Sequence, residues 1–494
     1  MKISANKYLI LILIFALSLR LAFFTGADHS DSLLYYTYAN EAAAGNFHLT
    51  QNHFSSRIGL IYPQALIYQI FGVNDFTSNA LSLIISLAGI ILIFYFGKLL
   101  FSEKAGVIAA FLLSFFPLDV IFSTRLLPDF PSAFFMALAA FFLLKGEKET
   151  KKSYYLLSGL SWGIAYLIKE VSIIFALFYL LYALYKGLYR KKFYKYYKYY
   201  FLIIIGLGLF LLVEFWHAYA LTGNPLFRHA QIESEEVTYL IQTYSNYFTP
   251  AGMLSRLFLH WPFLMIHDLH YGLFFIFIFL AFVYFIFNRK ENSNLLLIWI
   301  IPLMLYLNFG TLSIKNYIPI PITVKFLSII MFPSILLLAQ FLSLEEKIIK
   351  KFLMPSVLAL LFFSSIGFVY LSDERAIISE IKQAYSFVKN DNGQVYTDER
   401  TKMVFDYLSG FELKDNFKQF NSFDFYSKNE KNILADLKNV HNSLVIANLG
   451  MINGLPVLYK DIKFPEQIAN IPKQWQAVKE FGSGDKKITI YYVP

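Results

Sequence analysis

A few charged residues in a very apolar chain are the groups able to do chemistry. The stretch HSDSLLYYTYANEAAAGNF, from His29, follows the first greasy segment and puts Asp31 where the backbone leaves a bilayer. A carboxylate near a bilayer is expensive, so it needs a role. Leu34, Tyr35, Tyr38 and Ala42 are spaced to share one face of a helix lying along the interface, with Asp31 at its start. Asp31 is then either the N-cap or, because Asp28 and Ser30 can also cap, a carboxylate free to accept a proton. In FSTRLLPDFPSAFF, Asp129 stands between Pro128 and Pro131 at a helix start. It either complements the helix dipole or joins Asp31 in holding a divalent metal ion or a sugar hydroxyl. Asp119, after FFP, reads as a boundary residue at a span end.

The basic candidates suit an anion. Lys169 and Glu170 interrupt YLIKEVSIIF and either neutralise one another or leave the lysine for a phosphate. Lys315 and Lys325 flank two prolines in SIKNYIPIPITVKFLSIIMFP, an extended loop at the membrane surface, where a lysine either snorkels to head groups or meets a phosphate as a point charge. Arg57, in HFSSRIGLIYPQALIYQIFG, has the same two readings. Among the nine histidines, HDLH around His267 is the nearest approach to metal spacing, and it fits an interfacial position better.

What must position these groups is a polytopic membrane domain. The 494 residues are 57% hydrophobic and 19% aromatic with mean hydropathy +0.51, more apolar surface than one soluble core can hide. About eleven spans are expected. They lie near 8–25, 79–97, 106–122, 131–145, 154–168, 171–188, 200–220, 271–288, 295–309, 326–343 and 352–371. The first is a retained span rather than a cleaved signal, since no small-residue cleavage site follows it. Alternate joints differ in Lys and Arg, about nineteen against about seven, which places the N-terminus and the basic joints in the cytoplasm. The +9 net charge is thereby explained by topology, and YRKKFYKYYKYY is an inner anchor in preference to a nucleic-acid or anionic-lipid patch.

Residues 1–371 form the membrane domain, with long outer loops at 26–78 and 221–270. Loops of that length facing one side usually carry function. Residues 372–494 lie outside the cytoplasm and alternate β-like runs (GQVYTD, SLVIANL, KITIYYV) with helical ones (AIISEIKQAYSFVKN, NEKNILADLKNV), as a small α/β domain does. The chain has no cysteine, which excludes thiolate metal sites, disulfides and cysteine nucleophiles. P-loop, dinucleotide and nucleophile-elbow motifs are lacking too.

In order along the chain, LSLRLAFF, SDSLLYYTYANEAAAGNF, YPQALIYQIFGVNDFTSNALSL, FSTRLLPDFPSAFFMALAAFFLL, YLIKE, TGNPL and YIPIPITVKFLSIIMFP resemble the GT-C superfamily of membrane glycosyltransferases. The resemblance is to the branch of dolichyl-phosphate-mannose protein mannosyltransferases and lipid A aminoarabinose transferases, and it covers most of residues 1–345. It implies transfer of a sugar from a polyprenyl-phosphate donor to a protein, lipid or glycan acceptor at the outer face of a cell membrane, without nucleic acid. Asp31 matches the family's catalytic acid, with Ser32 where a second acid often stands, and Asp129 matches the second acidic position. Lys325 stands at a late basic position that is commonly Arg. The resemblance implies Asp31 as general base, Lys169, Lys325 and Arg57 on the donor phosphate, and Tyr35, Tyr62 and Glu170 as substrate contacts. A metal, where one is used, falls to Asp31 and Asp129. A multi-span lipid or glycan flippase and a scaffold built around the external domain are the rival classes, but no internal repeat or mid-membrane charge pattern of a transporter is visible.

Overall fold

The computed structural model describes residues 5–27, 31–50, 52–190, 198–231, 249–268, 271–311, 317–344, 352–371, 375–419, 440–448, 474–483 and 487–494. The membrane part contains α1 (Ala5–Ala22), α2 (Asp31–Ala43), α3 (Ile58–Phe71), α4 (Asp75–Leu100), α5 (Glu103–Ser114), α6 (Pro117–Phe122), α7 (Asp129–Glu149), α8 (Lys152–Ile168), α9 (Ala176–Arg190) and α10 (Tyr200–Thr222). It continues through α11 (Pro250–Ser255), α12 (Trp261–His267), α13 (Phe274–Phe287), α14 (Glu291–Phe309), α15 (Ser328–Leu342) and α16 (Met354–Leu371). All eleven expected segments are helical. Among the described residues, eight helices are long and apolar enough to cross a membrane, and α3 and α13 are shorter apolar helices. The chain is an integral membrane protein.

The expected span at 106–122 is two helices. Pro117 lacks the N–H that would continue α5, so the helix breaks and restarts with this proline in its first turn. The break frees the Ser114 carbonyl, and a bilayer supplies no water to satisfy it. Arg20 of α1 satisfies it instead, donating from Nη1 at 2.9 Å, while its Nε donates to Ser86 Oγ at 2.8 Å and its Nη2 pairs with Asp119. Ser86 Oγ also donates to Asp119 Oδ2 at 2.9 Å. Asp119 is therefore not a boundary residue: it closes a fully buried knot joining α1, α4 and α6.

Helices α8 and α10 approach closely because both contribute glycine. A Cβ on Gly159 would lie 2.2 Å from the Ile203 carbonyl oxygen, and one on Gly206 would lie 2.6 Å from the Leu160 nitrogen. No side chain larger than hydrogen fits at either position.

The C-terminal part is the expected α/β domain. Its helices α17 (Arg375–Val388) and α18 (Glu399–Leu408) pack on strands β1 (Gln394–Thr397), β2 (Phe417–Gln419), β3 (Ser443–Asn448), β4 (Gln476–Phe481) and β5 (Ile488–Val493), ordered β2-β1-β3-β5-β4. β1 is parallel to β2 and β3, and β5 is antiparallel to β3 and β4. The helical stretch expected around NEKNILADLKNV lies outside the described residues, apart from Val440.

A second hydrophobic core joins this domain to the membrane part. Leu33 and Tyr36 of α2 and Leu60 of α3 share it with Val404 and Phe405 of α18 and with Ile488 and Ile490 of β5. The Tyr36 and Tyr407 rings stack at 5.0 Å. Asp75, first residue of α4, accepts from Tyr407 OH at 3.0 Å and pairs with Lys382 Nζ at 2.5 Å. Helix α2 thus does not lie along a lipid interface. Residues on both its sides are buried, Ser32, Leu33, Tyr35, Tyr36, Tyr38 and Ala39 among them, because protein covers the face that the apolar spacing assigned to lipid.

Candidate active site

Four chain segments that are far apart in sequence converge at one end of the bundle. Asp31, in the first turn of α2, accepts from Lys325 Nζ at 2.5 Å, across 294 positions of sequence. Lys325 stands in a short 3-10 turn, Val324–Leu327, that enters α15 from the two-proline loop. Asp129, the first residue of α7, pairs with Lys169 Nζ at 2.5 Å, and both side chains are almost wholly buried. Lys169 itself is extended, φ −151° and ψ 122°, between α8 and the 3-10 turn that leads to α9. That break lets its side chain run to Asp129, while its ring neighbour is Phe326, 4.3 Å away. Asp129 and Arg57 lie within electrostatic reach of Lys325, so both lysine–aspartate pairs belong to one cluster.

Lys169 and Glu170 do not neutralise one another. Glu170 accepts from Arg57 Nη2 at 3.3 Å and from Arg228 Nη2 at 2.8 Å. Arg228 Nη1 also reaches Glu214 Oε2 of α10 at 3.3 Å and the Tyr166 carbonyl at 3.1 Å. Arg57 is brought in by a tight approach of α3 to the end of α8, where a Cβ on Gly59 would lie 2.8 Å from the Ile168 nitrogen. Its Nη1 donates to the buried Tyr35 hydroxyl, and its guanidinium stands 5.0 Å from the centre of the Phe54 ring.

Six of the eight residues singled out by sequence, Asp31, Asp129, Lys169, Lys325, Arg57 and Glu170, are thus ion-paired at one end of the bundle, and Tyr35 is bonded to Arg57. Tyr62 stands apart. Its hydroxyl pairs with His217 Nε2 at 2.7 Å and its ring lies against Phe47, 5.7 Å between centroids. Lys315, Asp28 and Ser30 lie outside the described residues. Arg228 and Glu214 are additions. Their signal in the sequence was Glu214 itself, a lone carboxylate in FLIIIGLGLFLLVEFW that demands a cationic partner.

Burial alone would raise the Asp31 carboxyl, but Lys325, with Arg57 and Arg400, outweighs it and holds the group below the ordinary carboxylate range. Asp31 is therefore ionised at neutral pH and is basic enough only towards a proton made acidic by reaction. As arranged, the two aspartates do not fit a divalent ion. Each already holds an ammonium at 2.5 Å, and the described residues place no group of three His, Asp or Glu where they could hold a metal. What the cluster can do is trade an internal carboxylate for an incoming anion: Lys325 and Lys169 are points of positive charge that a phosphate can compete for.

The family model of dolichyl-phosphate-mannose-protein mannosyltransferase matches residues 58–216. The Archaeoglobus fulgidus oligosaccharyltransferase in its apo form is 14% identical, over 96% of this chain and 73% of its own, with a TM-score of 0.60. ArnT from Cupriavidus metallidurans in the apo state is 12% identical over 99% and 98% of the two chains, also at 0.60. ArnT bound to undecaprenyl phosphate matches over the same shares at 12% identity and 0.55. No curated protein sequence matches the chain. Identities this low speak for the fold alone. The chain is built on the GT-C fold, and the resemblance to that superfamily drawn from its sequence is borne out.

Proposed function

We propose that the chain is an inverting glycosyltransferase that moves a sugar from a polyprenyl-phosphate donor to an acceptor hydroxyl at the outer face of the membrane. The observation that carries this reading is the Lys325–Asp31 pair, a cation and a carboxylate held together beside Lys169 and Arg57. The donor's phosphate, arriving from the bilayer on its lipid tail, takes Lys325 and Lys169 as counter-ions. Asp31 is thereby released to face the acceptor.

The acceptor oxygen attacks the anomeric carbon from the side opposite the phosphate. The C–O bond to phosphate breaks and its electron pair leaves with the polyprenyl phosphate, whose growing charge Lys325, Lys169 and Arg57 stabilise. As the new glycosidic bond forms, the acceptor proton becomes acidic and passes to Asp31. Asp129, locked to Lys169, fixes the position of that lysine. The ArnT structure bound to undecaprenyl phosphate supports a polyprenyl-phosphate ligand for this fold.

The test is mass spectrometry of envelope glycans, lipids and glycoproteins from cells with and without the gene, followed by complementation. The wild-type gene restores one missing sugar and Asp31→Asn does not. Full restoration by Asp31→Asn refutes the assignment.

A further inference from the structure

Helix α7 carries a carboxylate at each end. Asp129 opens it in the reaction cluster, and at about 1.5 Å of rise per residue Glu147 lies roughly 27 Å further along, close to the ~30 Å of a hydrocarbon core. Glu147 therefore stands at the opposite membrane surface, away from the transfer site. Only 9% of its side chain is exposed, and a carboxylate so buried needs partners. The Tyr182 hydroxyl of α9 donates to its Oε2 at 2.7 Å, and the Tyr200 hydroxyl of α10 donates to its Oε1 at 3.4 Å.

Beside Glu147 is a cavity of about 270 Å³, walled by the C-terminal turns of α4, α7 and α9 and by the start of α14. Small-ligand sites run upward from about 300 Å³. The walls are tied to one another: Asn292 donates from Nδ2 to the Leu100 carbonyl, and Asn294 Nδ2 donates to the Tyr185 hydroxyl at 3.2 Å. The cavity is thus formed before anything enters it. Leu99, Leu144 and Leu295 make its apolar part, and Glu147, Lys148, Lys186 and Glu291 its charged part.

The charges identify the ligand. Lys186 Nζ is 3.4 Å from Glu147 Oε2 and 3.6 Å from Glu291 Oε1, both longer than the ~2.7–2.9 Å of a closed charge-assisted bond. One ammonium is shared between two carboxylates, which retain lone pairs for a second cation. The two lysines and two glutamates also sum to zero. A lone anion entering the cavity meets Glu147 and Glu291, and a lone cation meets Lys148 and Lys186, whereas a ligand with both charges finds a partner for each.

We propose that this cavity binds a phosphate ester bearing a primary ammonium, the head group of an aminophospholipid from the leaflet at that surface. Its phosphate takes Lys148 and Lys186, its ammonium takes Glu147 and Glu291, and its glycerol end lies over the leucines. The ammonium is primary because it must donate hydrogen bonds to the carboxylates, and a quaternary one has no N–H.

The experiment titrates the purified full chain in detergent with phosphatidylethanolamine, phosphatidylcholine and phosphatidylglycerol of identical acyl chains and counts retained lipid by native mass spectrometry. Phosphatidylethanolamine is retained about tenfold better than either of the others, the contribution of one charge-assisted hydrogen bond. Glu291 and Lys148 are exposed, so their substitution spares the fold. Glu291→Gln removes the preference for phosphatidylethanolamine and Lys148→Gln lowers its retention about tenfold, both with unchanged melting temperature. Equal retention of the three lipids, a preference intact in Glu291→Gln, or undiminished retention in Lys148→Gln overturns the proposal. Soluble glycerophosphoethanolamine competes only weakly, because it has no acyl chains; binding as tight as that of the lipid assigns the cavity to a free phosphorylated amine and overturns the lipid source.

Discussion

Replacing Lys325 by glutamine tests the electrostatics of the site most directly. In the wild type, burial raises the Asp31 carboxyl while Lys325, Arg57 and Arg400 lower it, with a net fall below the ordinary range. Lys325 is in hydrogen-bond contact at 2.5 Å and both side chains are about one-third exposed, so screening by solvent tempers the pair without abolishing it. An adjacent opposite charge lowers a carboxyl by about 1–3 units. Its loss therefore raises the Asp31 carboxyl, with burial then opposed only by the two arginines.

The sign follows from the chemistry. Asp31, as the proposed base, works ionised, so transfer is expected above its pKa and falls as pH drops through it. Wild type should hold its relative rate down to the lowest pH at which the protein stays folded. Lys325→Gln should show an acid limb at higher pH than wild type, on top of a rate reduced on the order of a hundredfold or more by loss of a cation from the departing phosphate. Lys325→Arg keeps the charge and should keep the wild-type limb. The assay is initial rate against pH with the donor and acceptor identified from the envelope comparison. A Lys325→Gln profile with the same shape as wild type would refute the coupling between the two residues.

Three further outcomes follow from the packing. Arg20→Met leaves Asp119 charged or orphaned in a dry core and should destabilise by about 3–5 kcal/mol, most of which Arg20→Met with Asp119→Leu recovers in a thermal-unfolding double-mutant cycle. Gly59→Ala pushes α3 off the end of α8 at a cost of about 1–3 kcal/mol, and the resulting shift of Arg57 should cut transfer on the order of a hundredfold. Glu170→Gln strips Arg57 and Arg228 of their shared carboxylate and should lower stability by about 3 kcal/mol, measured by loss of the melting transition in detergent.

The apolar architecture was legible because hydropathy over a window of one bilayer thickness is a strong signal, and every expected segment is helical, the one at 106–122 as two helices. Helix α3 was not, since it lies in a joint read as loop and contains Pro63, yet it carries Arg57 to Glu170. The charged residues that form the ion-paired cluster were legible from type and place, their partners were not. Sequence leaves Lys169 either neutralising its neighbour Glu170 or facing a phosphate, whereas an extended residue at the helix break sends it to Asp129. Asp31 and Lys325 meet only through tertiary folding, which no local spacing encodes. The apolar stripe on α2 was correct as a buried face, but spacing alone does not distinguish lipid from a protein domain as the covering surface.

The shared second core has a consequence for biosynthesis. Tyr36 and Leu33, on the helix that carries Asp31, are packed by residues as late as Ile488 and Ile490. The membrane helices can insert one after another as they emerge, but α2 has no finished surroundings until β5 has been made and has joined the sheet. Asp31, the proposed base, therefore becomes positioned only after the bundle is assembled, and a half-translated chain already in the bilayer carries no finished site.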